Sequence, residues 1–181
     1  MKFKLVEDFE NTITDNQGND LSQEQLEYFR NTQVKQGDKI MVCVHGSRVS
    51  GDLTTLDPNR CNRNNLFFSD NNDVAKHFSY GDNSAIYKCY LNIINPLKLD
   101  AQGNFYNEIP FNNEIYHIDD IAEIAKTMHH DGVIVTRVKE ASGYLCDDFI
   151  VFKANQVKSI YNKKPTSKNG IYEHAILNKE N

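Results

Sequence analysis

The sequence predicts an α+β fold of mostly antiparallel β-sheets with a few flanking helices. Short apolar runs of strand-like composition outnumber the helical patterns along the chain. These runs are not separated regularly by helices, which disfavours a doubly wound parallel sheet. Residues 84–94 place every second side chain of an apolar set on one face, which is typical of a β-strand.

The first elements of the chain are a strand and a short helix. A strand is predicted over residues 2–6, where the composition is strand-like. Ser22 and Gln25 have the spacing of a capping box, so a helix is predicted over residues 22–32. After a turn, the apolar run at residues 40–44 is predicted to be a buried strand.

The middle of the chain begins with a polar stretch over residues 49–64 that lacks periodicity and is rich in turn formers. A loop of this length in a compact domain is usually functional or mobile. A short strand is predicted at residues 66–68. A helix is predicted over residues 72–80, with Asp70 or Asn71 as its N-cap.

The second half is predicted to contain one helix, which begins at Asp119 or Asp120 and ends near His129. Residues 97–113 are predicted to be an irregular connection, because they contain Gly, Pro and several Asn. Three further strands are predicted at residues 133–135, 148–152 and 157–161. A loop is predicted between the first two of them, over residues 139–147.

The 181 residues are expected to form one domain with a real core. Within it, residues 1–36 are predicted to be an N-terminal extension of strand and helix that packs on the core. Residues 37–162 are predicted to be the core itself, and residues 163–181 a polar tail.

Composition excludes several classes of protein. The net charge of −5 gives no overall footprint for nucleic acid, which leaves open only a local basic patch. The N-terminus has no signal-peptide pattern, and no apolar stretch is long enough to span a membrane. The four cysteines are far apart and form no CxxC pair, which predicts reduced thiols in a cytoplasmic protein and no metal site.

Three clusters could carry chemistry. A strand that ends in a histidine, a glycine and a hydroxyl can approach a ligand closely and supply polar contacts. Aromatic side chains can form an apolar slot, and a pair of carboxylates can act on a developing charge. Each cluster taken alone also has an ordinary structural explanation. The three are His45-Gly46-Ser47-Arg48, Phe67-Phe68-Ser69-Asp70 with Phe78, and Asp147-Asp148.

Taken together, these clusters resemble the ADP-ribosyltransferases of the poly(ADP-ribose) polymerase and diphtheria-toxin type. His45-Gly46-Ser47 matches the His-Gly-Ser/Thr motif that ends the first core strand of that family. Phe67-Phe68-Ser69-Asp70 matches its Tyr-Phe-Ala-Asp strand, and Phe78 its second aromatic, eleven residues after the first. Asp148 stands where the family has a catalytic Glu before a strand. The resemblance implies the split, mostly antiparallel sheets of the ADP-ribosyltransferase fold.

A closer resemblance covers nearly the whole chain and is to the ADP-ribosyltransferase modules of phage polyvalent proteins. Segments that carry it include the stretch from Leu21 to His45, Tyr90-Leu91-Asn92-Ile93, Asn95-Pro96-Leu97, Asp131-Gly132-Val133-Ile134 and Asn155-Gln156-Val157-Lys158-Ser159. Those modules usually sit inside long polyproteins. The core at residues 37–162 is accordingly expected to be the catalytic part.

The resemblance implies NAD as co-substrate. The two aromatic rings would enclose nicotinamide, the Gly46 backbone with Ser47 would bind its carboxamide, and His45 would donate to the adenosine-side ribose. Asp148 would bind the other ribose and stabilise positive charge there, so Asp148 and His45 are the implied catalytic residues. The NAD-binding set as a whole is His45, Gly46, Ser47, Arg48, Phe67, Ser69 and Phe78. For Arg48 an ordinary surface salt bridge is the alternative to a pyrophosphate contact.

Two departures from the family pattern bear on activity. Both aromatics are Phe where many members have Tyr, and Asp148 is one methylene shorter than Glu. The short carboxylate disfavours chain extension and favours mono-ADP-ribosyl transfer. A non-catalytic NAD- or ADP-ribose-binding module and an NAD glycohydrolase stay open. The loop over residues 139–147 is implied to contact the acceptor through Tyr144 and Asp147, and Asp147 is also the alternative catalytic carboxylate.

The implied partner is a macromolecule of a bacterial host or phage, protein rather than nucleic acid, modified in the host cytoplasm by a monomeric enzyme that uses no membrane or metal. The tRNA 2′-phosphotransferases share the fold but would need several basic residues, whereas Arg48 is alone near the motif. A metal-dependent hydrolase is disfavoured, because His129 and His130 would point about 100° apart on a helix.

Overall fold

The computed structural model describes residues 12–48, 53–82 and 84–172, so the strand predicted at residues 2–6 lies outside the described residues. The helices of the described part are α1 (Gln23–Tyr28), α2 (Asn72–Phe78) and α3 (Ile118–Thr127). Its strands are β1 (Lys35–Gln36), β2 (Lys39–Ile40), β3 (Cys43–Ser47), β4 (Leu66–Ser69), β5 (Ala85–Leu91), β6 (Pro96–Asp100), β7 (Ile109–Phe111), β8 (Glu114–Tyr116), β9 (Gly132–Lys139), β10 (Leu145–Val151) and β11 (Val157–Ser159).

Seven of these strands form the central sheet, in the order β11-β5-β3-β4-β10-β9-β6. Every neighbouring pair is antiparallel except β6 and β9, which are parallel. The parallel pair is joined by a crossover that contains the β7–β8 hairpin and α3, as parallel pairing requires. The predicted α+β class with mostly antiparallel strands is therefore confirmed.

The sheet is split between β3 and β4. β3 pairs with β5 from Cys43 to Ser47, but it pairs with β4 only through Val44 and Ser69. Beyond that single bridge the two strands separate, and the His45 side chain occupies part of the gap by bonding the Phe67 carbonyl. This divergence opens the sheet at the end of the His-Gly-Ser motif.

Each face of the sheet buries its own apolar cluster. On one face, side chains such as Phe68, Leu91 and Phe149 pack together. On the other face, α3 packs Ile121 and its neighbours against β9 and β10. Alternation of buried side chains along β10 places Phe149 in the first cluster and Ile150 in the second, as the two-residue period of a strand requires.

A third, smaller cluster fastens α1 to the sheet. The capping box predicted for this helix is present, with Ser22 and Gln25 bonding reciprocally. Phe29, at the end of α1, is fully buried and contacts Tyr90 edge-to-face, with 5.6 Å between ring centroids. The Tyr90 hydroxyl donates in turn to Asp15 at 2.7 Å. The segment that contains α1 thus packs against β5, which is the neighbour of the edge strand β11.

Several predicted boundaries differ from the structure. The strand predicted at residues 40–44 lies at Cys43–Ser47, so the His-Gly-Ser motif is inside the strand and not beyond its tip. The helix predicted to begin at Asp119 or Asp120 begins at Ile118, with His117 as its N-cap. The His117 ring nitrogen accepts the Asp119 amide there, a capping role that histidine rarely signals in a sequence.

The largest error concerns residues 97–113, which were expected to be irregular. They contain β6 and β7. Pro96 is the first residue of β6, a position at which a strand tolerates proline. The loop expected at residues 139–147 is shorter, because β9 continues to Lys139 and β10 begins at Leu145.

No helix in the described ranges has both the length and the apolar character needed to cross a membrane.

Candidate active site

The split in the sheet opens into a cavity of about 750 Å³, within the range of small-molecule sites. Its walls are formed by β3, β4, α2, the first turn of α3 and the residues that follow β9. Eight of the sequence-predicted site residues line it: His45, Gly46, Ser47, Arg48, Phe67, Ser69, Phe78 and Asp148. Tyr144 and Asp147 are not among its lining residues.

His45 is held by the neighbouring strand. Its Nδ1 lies 2.7 Å from the Phe67 carbonyl oxygen, and its ring packs against Phe68 with 5.3 Å between centroids. Because a carbonyl can only accept, Nδ1 carries the proton of this bond. Burial lowers the pKa of His45, which the Phe67 bond only partly opposes. The neutral ring therefore presents Nε2 as a hydrogen-bond acceptor, not as the donor expected from the sequence.

The packing of β3 against α2 requires a glycine at position 46. A Cβ at this position would lie 2.0 Å from the Ala75 carbonyl oxygen of α2. No side chain fits there without displacing the helix. Gly46 therefore brings α2, and with it Phe78, close to β3.

Two phenylalanines line the cavity from different elements. Phe67 is half-buried on β4, and Phe78 is 37% exposed at the end of α2. Together they give the cavity apolar walls that suit a flat aromatic ligand. Near them, the Arg48 guanidinium lies 4.0 Å from the centroid of the Tyr80 ring, which holds a positive charge at the edge of the cavity.

Asp148 is the most deeply buried carboxylate of the cavity, with 3% of its surface exposed. It lies within β10, opposite Ser69 of β4 and Val135 of β9. Its Oδ1 accepts a weak bond from the Cys146 thiol at 3.4 Å. Among the described residues, its Oδ2 has no hydrogen-bond partner. Such an orphaned oxygen inside a cavity is a group that a ligand hydroxyl could satisfy.

Burial raises the pKa of Asp148 well above its usual range, and the neighbouring Glu140 carboxyl raises it further. Glu140 follows β9 directly, lines the same cavity and is only 8% exposed. The sequence did not predict Glu140 as a site residue, because the segment after β9 was expected only to contact the acceptor. The one signal for Glu140 in the sequence is its position as an acidic residue directly after a buried strand.

Asp147 precedes Asp148 in β10, so the two-residue alternation of the strand directs it away from the cavity, and the extra residue of the β-bulge opposite it belongs to β9. Its Oδ1 accepts the Arg137 amide at 2.9 Å, and its own amide donates to Asp70 Oδ1 at 2.9 Å. It lies in a strand and not in the loop that the sequence predicted. Tyr144 does lie in the connecting turn and is 47% exposed.

One part of the cavity lining was not predicted from the sequence. It comes from the loop before β4 and the first turn of α3, including Arg60, Asn65 and His117. Asn65 is 1% exposed, and neither atom of its side-chain amide has a partner among the described residues. In the described ranges, no three or more His, Cys, Asp or Glu side chains are grouped to hold a metal ion.

The fold and the cavity can now be compared with known proteins. Residues 35–167 match the family described as ADP-ribosyltransferase in polyvalent proteins. This match spans the split sheet and every residue that lines the cavity. The comparison with curated proteins gave no match. The chain belongs to the ADP-ribosyltransferases of polyvalent proteins, a family of transferases.

The close contact at Gly46 leads to a first prediction. We expect Gly46→Ala to lower the free energy of unfolding by about 1–3 kcal/mol, because the added methyl overlaps the backbone of α2. We also expect weaker NAD binding, since Phe78 moves with that helix. Chemical denaturation and calorimetric titration with NAD measure the two effects. Unchanged stability and affinity would show that α2 does not depend on this contact.

Proposed function

We propose that the protein is a mono-ADP-ribosyltransferase that cleaves NAD at the nicotinamide–ribose bond and transfers ADP-ribose to a macromolecular acceptor. The observation that carries this proposal is the buried Asp148, whose Oδ2 has no partner in the described part of the chain and which lines the same cavity as the His-Gly-Ser strand and two phenylalanines. Membership of the ADP-ribosyltransferase family supports the class of reaction.

Nicotinamide fits the apolar end of the cavity. Phe67 and Phe78 would contact the faces of its ring from β4 and α2. After Val44, β3 has no paired residue in β4, so its backbone groups on that side can bond the carboxamide. Ser47 and Ser69 add hydroxyls close by, and the Arg48 guanidinium could pair with the pyrophosphate.

The ribose next to nicotinamide would lie over Asp148. As the C1′–nitrogen bond breaks, positive charge develops on the ribose, and a carboxylate in a site of low dielectric stabilises that charge strongly. Its free Oδ2 would accept the 2′-hydroxyl, which also aligns the sugar. The neutral His45 would accept a hydroxyl of the second ribose through Nε2.

The short side chain of Asp148 favours transfer of a single ADP-ribose unit. Asp148 reaches one methylene less far than Glu, and a misplacement of about 1 Å can cost roughly 10²-fold in rate. With a net charge of −5 the chain has no broad attraction for nucleic acid, so a protein acceptor is preferred. We propose that the chain acts as a monomer in the cytoplasm of a bacterial host, where a phage would express it.

One observation favours a second candidate, a module that binds NAD without turnover. The raised pKa of Asp148 means that its carboxyl is neutral over a wider range of pH than an ordinary aspartate. A neutral carboxyl can bind the ribose but stabilises little positive charge. The two candidates therefore differ in pH dependence, because turnover should increase as pH rises through the pKa of Asp148, whereas binding alone need not.

Incubation with labelled NAD and a bacterial lysate tests the proposal. We expect the wild type to label a macromolecule, and Asp148→Asn and His45→Ala to lose the label, with a drop of about 10²-fold or more for Asp148→Asn. Asp38→Asn, in the exposed turn between β1 and β2, is the matched control. Released nicotinamide without label would indicate NAD hydrolysis. Full labelling by Asp148→Asn would refute the catalytic assignment.

A binding measurement tests the aromatic slot separately. We expect Phe78→Ala to weaken NAD binding about fivefold, because an aromatic contact contributes about 1 kcal/mol. Phe78→Tyr should keep the affinity, since the stacking face is retained. Phe105→Ala, at a comparably exposed phenylalanine outside the cavity, is the control. Equal affinities for Phe78→Ala and Phe105→Ala would place nicotinamide elsewhere.

A further inference from the structure

The Glu140 carboxyl is built into the same cavity as Asp148 but comes from the residue directly after β9. The turn to β10 holds Glu140 in place: its amide donates to the Tyr144 carbonyl at 3.0 Å, and its carbonyl accepts the Gly143 amide at 2.7 Å. Glu140 is 8% exposed and lines the same cavity as Asp148, and its carboxyl raises the pKa of Asp148.

Two carboxyls this close and this buried need a proton between them. If both were ionised, two like charges would repel each other with little water to screen them. With one shared proton, the pair carries a single negative charge.

Among the described residues, the groups that act on the pKa of Asp148 include no cation. From β10 the Cys146 thiol reaches Asp148, and from the end of β4 the Asp70 carboxyl adds a more distant negative charge. Asp70 itself is occupied by the Asp147 amide. The other titratable or charged groups among the described residues that line the cavity are His45 from β3, Arg48, Arg60, Cys61 and Tyr106 from the loops, and His117 and Asp119 at the start of α3.

We propose that Glu140 is a second catalytic carboxylate, which shares a proton with Asp148 and accepts the proton of the acceptor's nucleophilic O–H or N–H group. This inference rests on the proposed transferase function. It assigns different tasks to the two carboxyls: Asp148 contacts the ribose, and Glu140 contacts the incoming acceptor. The connecting turn with the exposed Tyr144 directly follows Glu140 in the chain.

The step balances with the groups present. The bond between ribose C1′ and the nicotinamide nitrogen breaks, and its electron pair leaves with nicotinamide, whose ring becomes neutral. A lone pair of the acceptor oxygen or nitrogen forms the new bond to C1′. The proton of that acceptor atom passes to Glu140, so the pair with Asp148 becomes neutral until the proton is released to water.

This division of tasks restricts the acceptor. A nucleophile that must lose a proton, such as a hydroxyl or a nitrogen carrying hydrogen, benefits from Glu140 as a base. A carboxylate acceptor has no proton to lose and would be repelled by the pair. We therefore expect the modified residue to carry an O–H or N–H nucleophile and not to be an aspartate or glutamate.

Two measurements on the full chain test the inference. The first follows the Asp148 carboxyl carbon by ¹³C NMR during a pH titration, in the wild type and in Glu140→Gln. The second follows nicotinamide release from NAD against pH in the same proteins, together with NAD affinity. Glu140→Asp tests rescue by the shorter acid. Glu27→Gln, an exposed glutamate of α1, is the matched control.

In Glu140→Gln we expect Asp148 to titrate at lower pH, because a neutral amide replaces a like charge. The rise of activity with pH should move in the same direction. The maximal rate should fall by about 10²-fold, which is the lower end of the range expected for loss of a general base. NAD affinity should change less than about threefold, because Glu140 contacts the acceptor and not NAD. Glu140→Asp should recover part of the rate, and Glu27→Gln should behave as the wild type.

An unchanged Asp148 titration, or a maximal rate in Glu140→Gln within about twofold of the wild type, would overturn the inference alone. Loss of NAD binding in both Glu140 variants would indicate that Glu140 has a structural role, and this result would also overturn the inference. Absence of nicotinamide release and of labelling in the wild type would instead refute the proposed function, and the inference with it.

Discussion

The single bridge between Val44 and Ser69 is the constraint on which the rest of the site depends. It holds β3 and β4 in one sheet but lets them separate beyond that point. Because β5 and β10 pair fully with the outer sides of these two strands, the gap opens inside a well-supported sheet and not at an edge. The cavity can therefore be rigid although two central strands are not hydrogen-bonded along their length.

The polar groups of the gap serve both stability and chemistry. The His45 bond to the Phe67 carbonyl spans the separated strands, and it also fixes which ring nitrogen faces the cavity. Gly46 allows α2 to approach β3, which also positions Phe78. Asp148 is different, because its buried Oδ2 has no hydrogen-bond partner among the described residues, which carries an energetic penalty. Such a penalty is typical of a functional site.

Much of this arrangement follows from the sequence. The family resemblance, carried by the order and spacing of the His45, Phe67, Phe78 and Asp148 clusters, implied side chains that do line the cavity. The α+β class and the capping box of α1 followed from local rules.

The remainder depends on contacts between distant segments, which local patterns do not reveal. Glu140 reaches the cavity of Asp148 only because β9 and β10 are neighbours, and Asp147 points away from that cavity because side chains alternate along β10. The strand β6 was missed because its partner β9 is parallel and lies more than thirty residues further along the chain. Asn65 could not be singled out from its neighbours in a loop with several asparagines.

The central claim is that NAD binds across the split with its nicotinamide ribose on Asp148. A crystal structure with carba-NAD, in which the scissile bond cannot hydrolyse, tests it most directly. We predict nicotinamide between Phe67 and Phe78, and the 2′-hydroxyl within hydrogen-bonding distance of Asp148 Oδ2. Nicotinamide at the far end of the cavity, beside Asn65 and His117, with Asp148 Oδ2 still unpartnered, would contradict it.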